Sequence, residues 1–262
     1  MFYSSLIPHF VYPYLVLLLN CLLFKSLRVI THTITPKSIG YLITEFISTL
    51  ELCSDCAELG VVWELHGNIG FGITLFLLCL WYAQVFGEAE ACPNGPIEDC
   101  LLLGQSFTSN VFLQKFLGQL LGAIVTDKYI KCIWCWHLIP EHLHLHVDHC
   151  EASLQVTVVY GMAIEAALTF ISRLVALESG NWSEQVSKYV NSFTSTALVL
   201  YALTTTGGFF NPILASALTL NCKGNTLFEH LSVYWIGSLI GSLMARSVYM
   251  FILRRETKDK SD

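Results

Sequence analysis

The chain alternates between long apolar runs and short polar connections, a pattern that predicts helices crossing a membrane. A helix needs about 20 apolar residues to span a bilayer. Runs of about that length cover residues 5–24, 39–62, 67–87, 110–130, 153–175 and 232–252, and a shorter one covers 191–203. The pattern therefore predicts an all-α, multi-pass membrane protein.

Two further apolar runs are too short to span, and each follows an x-Pro step. One follows Cys92-Pro93-Asn94, and the other follows Asn211-Pro212-Ile213. Proline fits the first turn of a helix, where its missing N–H costs nothing. A half-helix at membrane depth survives only when it lines a water-filled cavity or is packed in protein. The alternative is an ordinary loop before an amphipathic helix.

An internal repeat favours the half-helices. Glu45-Phe-Ile-Ser-Thr-Leu is similar to Glu165-Ala-Ala-Leu-Thr-Phe, and each Glu precedes an x-Pro step, at Cys92 and at Asn211, by nearly the same distance. Each half, 39–130 and 153–252, then contains three spans and one half-helix, which predicts an inverted repeat with its site at the midplane. An intramembrane carboxylate usually faces a partner in the bundle interior.

Composition agrees with a membrane protein. The chain is 54% hydrophobic and 13% charged, where soluble domains are about 25% charged. Ten cysteines scattered through apolar segments do not form the framework of a secreted disulfide-rich domain. There is no nucleophile–base pair, phosphate loop or basic nucleic-acid patch. We therefore expect no enzyme, no cofactor and no nucleic-acid partner.

The basic residues Lys25, Arg28 and Lys37 follow the first run and should be cytosolic. The N-terminus is then lumenal, or the first run lies in the interface. We expect an N-terminal segment with a basic linker at 1–38, a main domain at 39–252, and a cytosolic tail at 253–262. In that tail Lys258 and Lys260 fit a retrieval signal.

The pattern resembles the aquaporin, or major intrinsic protein, family over about residues 40–252. Phe116-Leu-Gly-Gln-Leu-Leu-Gly-Ala-Ile-Val is similar to the third family helix and Val233-Tyr-Trp-Ile-Gly-Ser-Leu-Ile-Gly to the sixth, while Glu45 and Glu165 match the glutamates of the first and fourth. The resemblance implies six tilted helices, two half-helices meeting through paired Asn-Pro-Ala motifs, single-file water and a homotetramer. Gly118/Gly122 and Gly237/Gly241 form small-residue faces that would permit such contacts.

The chain departs from that family pattern at the motifs. Cys92 takes the usual Asn position, for which Asn94 could substitute in a shifted half-helix, and Ile213 replaces Ala. By the same resemblance, Leu214 takes the place of the filter Arg. The other filter positions are Phe71, an aromatic wall, and Val199, an apolar residue in place of His.

These departures resemble the unorthodox intracellular branch, the superaquaporins, which implies an endoplasmic reticulum membrane and passage of water, glycerol or hydrogen peroxide. The alternative is a structural or regulatory membrane protein that keeps the fold without conducting.

Two groups of polar residues allow other interpretations. The acidic residues Glu88, Glu90, Glu98 and Asp99 flank the first half-helix, where acids offset its positive end; the favoured interpretation is that they point into cytosolic water. The loop 131–151 carries ligand-type residues, and the weak metal candidates are Cys132, Cys135, His142, His144 and His146. A disulfide from Cys132 or Cys135 to Cys150 is an equal alternative, and an extended polar loop is favoured over both.

Overall fold

The computed structural model describes residues 8–147 and 150–259, which are almost entirely helical. Within those ranges the only extended pairing is an isolated bridge between Glu151 and Lys223. The helices are α1 (Tyr12–Ile34), α2 (Gly40–Val85), α3 (Asn94–Leu103), α4 (Asn110–Trp134), α5 (Pro140–Val147), α6 (Val158–Ser179), α7 (Glu184–Ala202), α8 (Pro212–Thr219), α9 (Leu227–His230) and α10 (Ser238–Asp259). A π-helical stretch, Leu231–Gly237, joins α9 to α10.

The long α2 is two helices joined by a sharp kink. Gly67 has φ 61° and ψ −163°, a conformation that glycine adopts without a side-chain clash. We call the parts α2a (residues 40–66) and α2b (residues 68–85). The segments His9–Ile34, Lys37–Val85, Val158–Ser179 and Leu227–Ile252 are long and apolar enough to cross a membrane. The predicted all-α, multi-pass class is confirmed.

Two halves of like construction make up most of the fold. The first contains α2a, α2b, α3 and α4, and the second contains α6, α7, α8 and α9–α10. Equivalent glycines bring the outer helices of each half into backbone contact. The contacts are Gly118 with Leu42, Gly122 with Phe46, Gly237 with Met162, and Gly241 with Ala166. These glycine faces therefore pack inside the chain and are not free for contacts between subunits.

Replacing Gly241 by alanine should destabilise the protein, because the new Cβ would lie 2.1 Å from the carbonyl oxygen of Ala166. Overpacking of this kind costs about 1–3 kcal/mol, and we expect the melting temperature to fall by about 5–10 °C. The matched control is Gly60→Ala, also in a helix, where nothing lies within 4 Å of the added Cβ. Thermal unfolding of the detergent-purified protein measures both variants. Equal melting temperatures for the two would contradict the packing.

The N-terminal helix differs most from its predicted bounds. The sequence predicts a run at 5–24 followed by a basic linker, whereas α1 continues through Lys25 and Arg28 to Ile34. Arg28 is inside the helix because its guanidinium pairs with the buried Glu51 of α2a. The antiparallel packing also brings Phe10, in the turn just before α1, close to His66 at the far end of α2a, with 3.0 Å between the Phe10 carbonyl oxygen and Nε2 of His66. Thus α1 lies along α2a for its whole length.

The loop between the halves contains a helix where an extended loop was expected. The segment α5 lies against the end of α4. His142, on its first turn, is buried and lies 3.0 Å from the carboxylate of Glu58. This contact with a distant residue holds α5 in place, and nothing local in the sequence indicates it.

Candidate functional site

The two half-helices meet at the centre of the molecule. Each packs on the opposite half: α3 lies on α10, and α8 lies on α2 and α4. A hydrogen bond joins the two segments that precede the half-helices, since Nδ2 of Asn211 donates to the carbonyl oxygen of Ala91 at 2.8 Å. The segments around Cys92-Pro93 and Asn211-Pro212 are therefore in contact, although they lie far apart in the chain.

A buried carboxylate anchors the segment before each half-helix. Glu45 accepts the backbone N–H groups of Glu90 and Ala91, at 3.0 and 2.9 Å, and the side-chain amide of Gln119 at 3.1 Å. Gln119 also donates to the carbonyl oxygen of Cys92 at 3.2 Å. The carboxylate thus orders the chain leading into α3.

Glu165 does the same in the second half. It accepts the backbone N–H groups of Phe209 and Phe210, at 3.3 and 2.6 Å, and the hydroxyl of Thr206 at 2.6 Å. Ala91 and Phe210 both have positive φ, 48° and 35°, which is costly for a residue with a side chain. In each half the carboxylate accepts the N–H of the strained residue and so holds this conformation.

These matched contacts set the register between the repeats. Ala91 corresponds to Phe210, so Cys92 corresponds to Asn211 and Asn94 to Ile213. Asn211 caps α8 by accepting the N–H groups of Ile213 and Leu214, at 3.1 and 3.3 Å. The residue directly before α3 is Pro93, which makes no side-chain hydrogen bond.

Asn94 does not substitute for the missing Asn. It begins α3, two residues beyond Cys92, and is buried. Its Oδ1 has no hydrogen-bond partner among the described residues. The shifted half-helix that would bring Asn94 to the Asn211-equivalent place is therefore wrong. Cys92 stands there, half-buried, with its thiol at the backbone N–H of Asn94.

A cavity of about 1540 Å³ adjoins this centre. It extends from Asn211 towards the kink end of the bundle, where the disulfide-bonded Cys150 and Cys222 also border it. Its wall includes all three residues expected to form a filter, which are Phe71, Val199 and Leu214, together with Ile213. The lining is predominantly apolar, and Cys92, Pro93 and Asn94 are not among the described residues that border it. The cavity therefore lies on one side of the paired motifs.

The acidic residues around the first half-helix have different environments. Glu98, on α3, is fully buried, accepts two hydrogen bonds from Nε of Arg173 and one from Nη2, at 2.6–3.1 Å, and also binds the hydroxyl of Ser242. The expectation that it points into water is wrong for this residue. The burial of Glu98 could have been predicted from Arg173, because a basic residue inside an apolar span needs an acidic partner.

Glu90 and Glu88 lie nearer the surface. Glu90 pairs with Lys115 at 2.6 Å and keeps a third of its side chain exposed, and Glu88 is exposed. The favoured expectation of solvent-facing acids therefore describes Glu88 and, in part, Glu90 and the half-buried Asp99.

The Cys/His loop has a different pairing from the one expected. Cys150 forms a disulfide with Cys222, while Cys132 and Cys135 are free, exposed thiols, so the proposed disulfides to Cys150 are wrong. His142 is buried against Glu58, whose other oxygen accepts the indole N–H of Trp134 at 2.7 Å. The side chains of His144 and His146 lie outside the described residues.

Metal-type ligands gather elsewhere in the chain. Among the described residues, ligand atoms come within 4.8 Å of one another at Cys21, Glu51 and Asp55. Both carboxylates there already accept hydrogen bonds from protein side chains. Of the two lysines of the expected retrieval signal, Lys258 lies in the last turns of α10, and Lys260 is outside the described residues.

Comparison with known proteins agrees with this architecture. No family model matches the chain. It is 26% identical to aquaporin-11 of Milnesium tardigradum over 249 residues, which cover 93% of this chain and 90% of the relative. It is 32% identical to aquaporin-12 of Mus musculus over 212 residues (76% and 71%), and 25% identical to aquaporin-11 of Equus caballus over 213 residues (80% and 78%). The chain belongs to the aquaporin family, in the superaquaporin branch that contains aquaporin-11 and aquaporin-12.

Proposed function

We propose that this protein is a passive channel for small neutral solutes, with the cavity beside Asn211 as its vestibule. The observation that carries the proposal is that Phe71, Val199, Leu214 and Asn211, expected from sequence to line a pore, all border this one cavity. The solutes we propose are water, glycerol and hydrogen peroxide. No step of chemistry is required, since a channel only lowers the barrier to passage.

The proposed selectivity follows from the side chains at the proposed narrowest point. Leu214 takes the position of a fixed positive charge and hydrogen-bond donor, and Val199 and Phe71 add apolar walls. Pore width and the donors that line it decide which solutes pass. A constriction without a charged donor should favour glycerol and hydrogen peroxide relative to a water-selective pore.

The dipoles at the paired motifs support exclusion of cations. The N-termini of α3 and α8 both lie at the centre, and each directs a positive dipole end towards it. The ion pair between Glu98 and Arg173 leaves α3 without a free negative charge at that carboxylate. We therefore propose that the pore rejects cations in spite of the acidic residues around α3.

A second candidate is a non-conducting membrane protein that keeps the aquaporin fold. The observation that favours it is that the cavity wall includes Asn211 but not Cys92 or Asn94. In that case the paired motifs would close the path. The two candidates make opposite predictions about solute flux.

The setting of the channel is also proposed. We place residues 39–252 as the channel domain, in an intracellular membrane such as the endoplasmic reticulum, with the tail 253–262 and its Lys258 and Lys260 in the cytosol. The proposed assembly is a homotetramer. Because the small-residue faces pack inside the chain, subunit contacts would use other surfaces.

Flux through purified protein in vesicles distinguishes the two candidates. Stopped-flow light scattering measures water and glycerol, and a peroxide-sensitive dye inside the vesicles measures hydrogen peroxide. We expect flux above empty vesicles for at least one solute. Val199→Trp should lower it about tenfold, because the indole would project from that wall and narrow the path.

The matched control is Tyr201→Trp on the same helix, since Tyr201 is 79% exposed on the outer face. This variant should conduct like the wild type. Absence of flux from folded wild-type protein would reject the channel and support the second candidate. Equal flux through both tryptophan variants would place the path somewhere other than this cavity.

A further inference from the structure

The first helix of the aquaporin fold, α2a, carries four buried carboxylates. Glu45, Glu51, Asp55 and Glu58 are all at most 1% exposed. Carboxylates at membrane depth are costly and need partners. The partners of Glu45 lie in the segment before α3, and those of Glu58 are Trp134 of α4 and His142 of α5. Glu51 and Asp55 have their partners on α1 instead, at Arg28 and Asn20.

Glu51 is neutralised by a basic residue of α1. The Arg28 guanidinium forms an ion pair with Oε2 of Glu51 and donates to the hydroxyl of Ser48 at 3.2 Å. The other oxygen of Glu51 accepts the indole N–H of Trp81 at 2.9 Å. The ring of Phe86 lies 5.0 Å below the guanidinium carbon and shields the pair. Among the described residues, Arg28 is the positive charge paired with this carboxylate.

Asp55 is held by an amide of the same helix. Nδ2 of Asn20 donates to Oδ1 of Asp55 at 2.6 Å and to the hydroxyl of Ser54 at 3.0 Å. Tyr82 donates to the second oxygen of Asp55 at 3.0 Å, and Tyr129 donates to Oδ1 of Asn20. One residue of α1 thereby closes a hydrogen-bonded network that joins α2a, α2b and α4.

The two faces of α1 match this arrangement. The inner face buries Asn20 together with Val16, Leu17, Cys21 and Phe24, and the outer face exposes Leu18, Leu19, Leu22 and Leu23. A helix of this length, 23 residues, reaches about 34 Å. Thus α1 presents its polar groups to α2a and its leucines to the surroundings, as a membrane helix must when polar partners lie inside the bundle.

We propose that α1 is a built-in partner helix, which makes the acidic α2a stable in the membrane by neutralising Glu51 and hydrogen-bonding Asp55. Residues 12–34 are then part of the folded domain rather than an added anchor. A helix that served only as an anchor would need no charge matched to α2a. The proposal does not depend on which solute the protein conducts, or on whether it conducts.

A double-mutant cycle on the full chain tests the charge pairing. The variants are Arg28→Leu, Glu51→Leu and the pair together, and the measurement is the fraction of detergent-solubilised protein that elutes as a monodisperse peak. We expect Arg28→Leu to lower this fraction about fivefold, because Glu51 is left buried without its counter-charge. The double variant should recover at least half of the loss, because apolar replacement of a whole buried pair is tolerated.

Lys128→Leu is the matched control, since Lys128 also carries a positive charge inside a helix, α4, but is exposed. It should behave like the wild type. A normal monodisperse fraction for Arg28→Leu would overturn the proposal. So would a double variant no better than Arg28→Leu, because the arginine would then act through packing rather than charge. The parallel cycle with Asn20→Leu and Asp55→Leu should show the same recovery.

Discussion

Replacing Leu214 by arginine should lower glycerol flux about tenfold while water flux stays within about twofold of the wild type. Leu214 lies on the cavity wall beside Asn211, in the first turn of α8. Arginine there would add a fixed positive charge and up to five hydrogen-bond donors to a wall that is now apolar. It would also occupy volume that a three-carbon solute needs, whereas water is small enough to pass and can bond to the guanidinium. Stopped-flow vesicle assays with water and glycerol gradients measure the ratio.

The control for this substitution is Leu218→Arg, one helical turn further along α8 and also on the cavity wall. The same side chain placed away from the constriction should change the glycerol-to-water ratio by less than about twofold. If both arginines lower glycerol flux equally, the selectivity does not arise at Leu214. If neither does, the solute path does not pass this wall.

The architecture could be predicted from sequence because the bilayer leaves few options. Backbone groups in lipid must be satisfied within helices, so apolar runs of about 20 residues translate directly into spans. The near-equal spacing from Glu45 to Cys92 and from Glu165 to Asn211 predicted the repeat. In the structure both carboxylates bind the backbone just before those residues. That spacing reflects a physical contact made once in each half.

The features that could not be predicted depend on contacts between residues that are distant in sequence. Arg28 ends an apolar run, so the pattern places it in a linker, but its pairing with Glu51 keeps it inside α1. Glu98 and Arg173, 75 residues apart, have no local pattern that joins them. With ten cysteines in the chain, spacing could not select the bond between Cys150 and Cys222. Such partners are known only once the helices are packed.

Replacing Glu165 by alanine should lower the melting temperature by about 10 °C and abolish solute flux. The carboxylate accepts three hydrogen bonds, from Thr206, Phe209 and Phe210, and its loss leaves those donors unpaired in the interior. Each unsatisfied buried donor costs about 1–3 kcal/mol. Relaxation of the segment should recover part of this cost, so the expected loss of stability is about 3 kcal/mol, near the lower end of the range for three donors. The strained conformation of Phe210 would also lose its anchor, which displaces Asn211 from Ala91.

Two comparisons separate this anchoring role from a general effect of losing a charge. Glu165→Gln keeps one accepting oxygen and should fall between the wild type and Glu165→Ala in melting temperature. Glu184→Ala removes an exposed carboxylate paired with Lys188, and should shift the melting temperature by less than about 2 °C, because surface ion pairs contribute little. A Glu165→Ala protein that melts like the wild type would mean that the chain before α8 is held by other contacts. A variant that melts lower but conducts normally would mean that the position of Asn211 does not control the path.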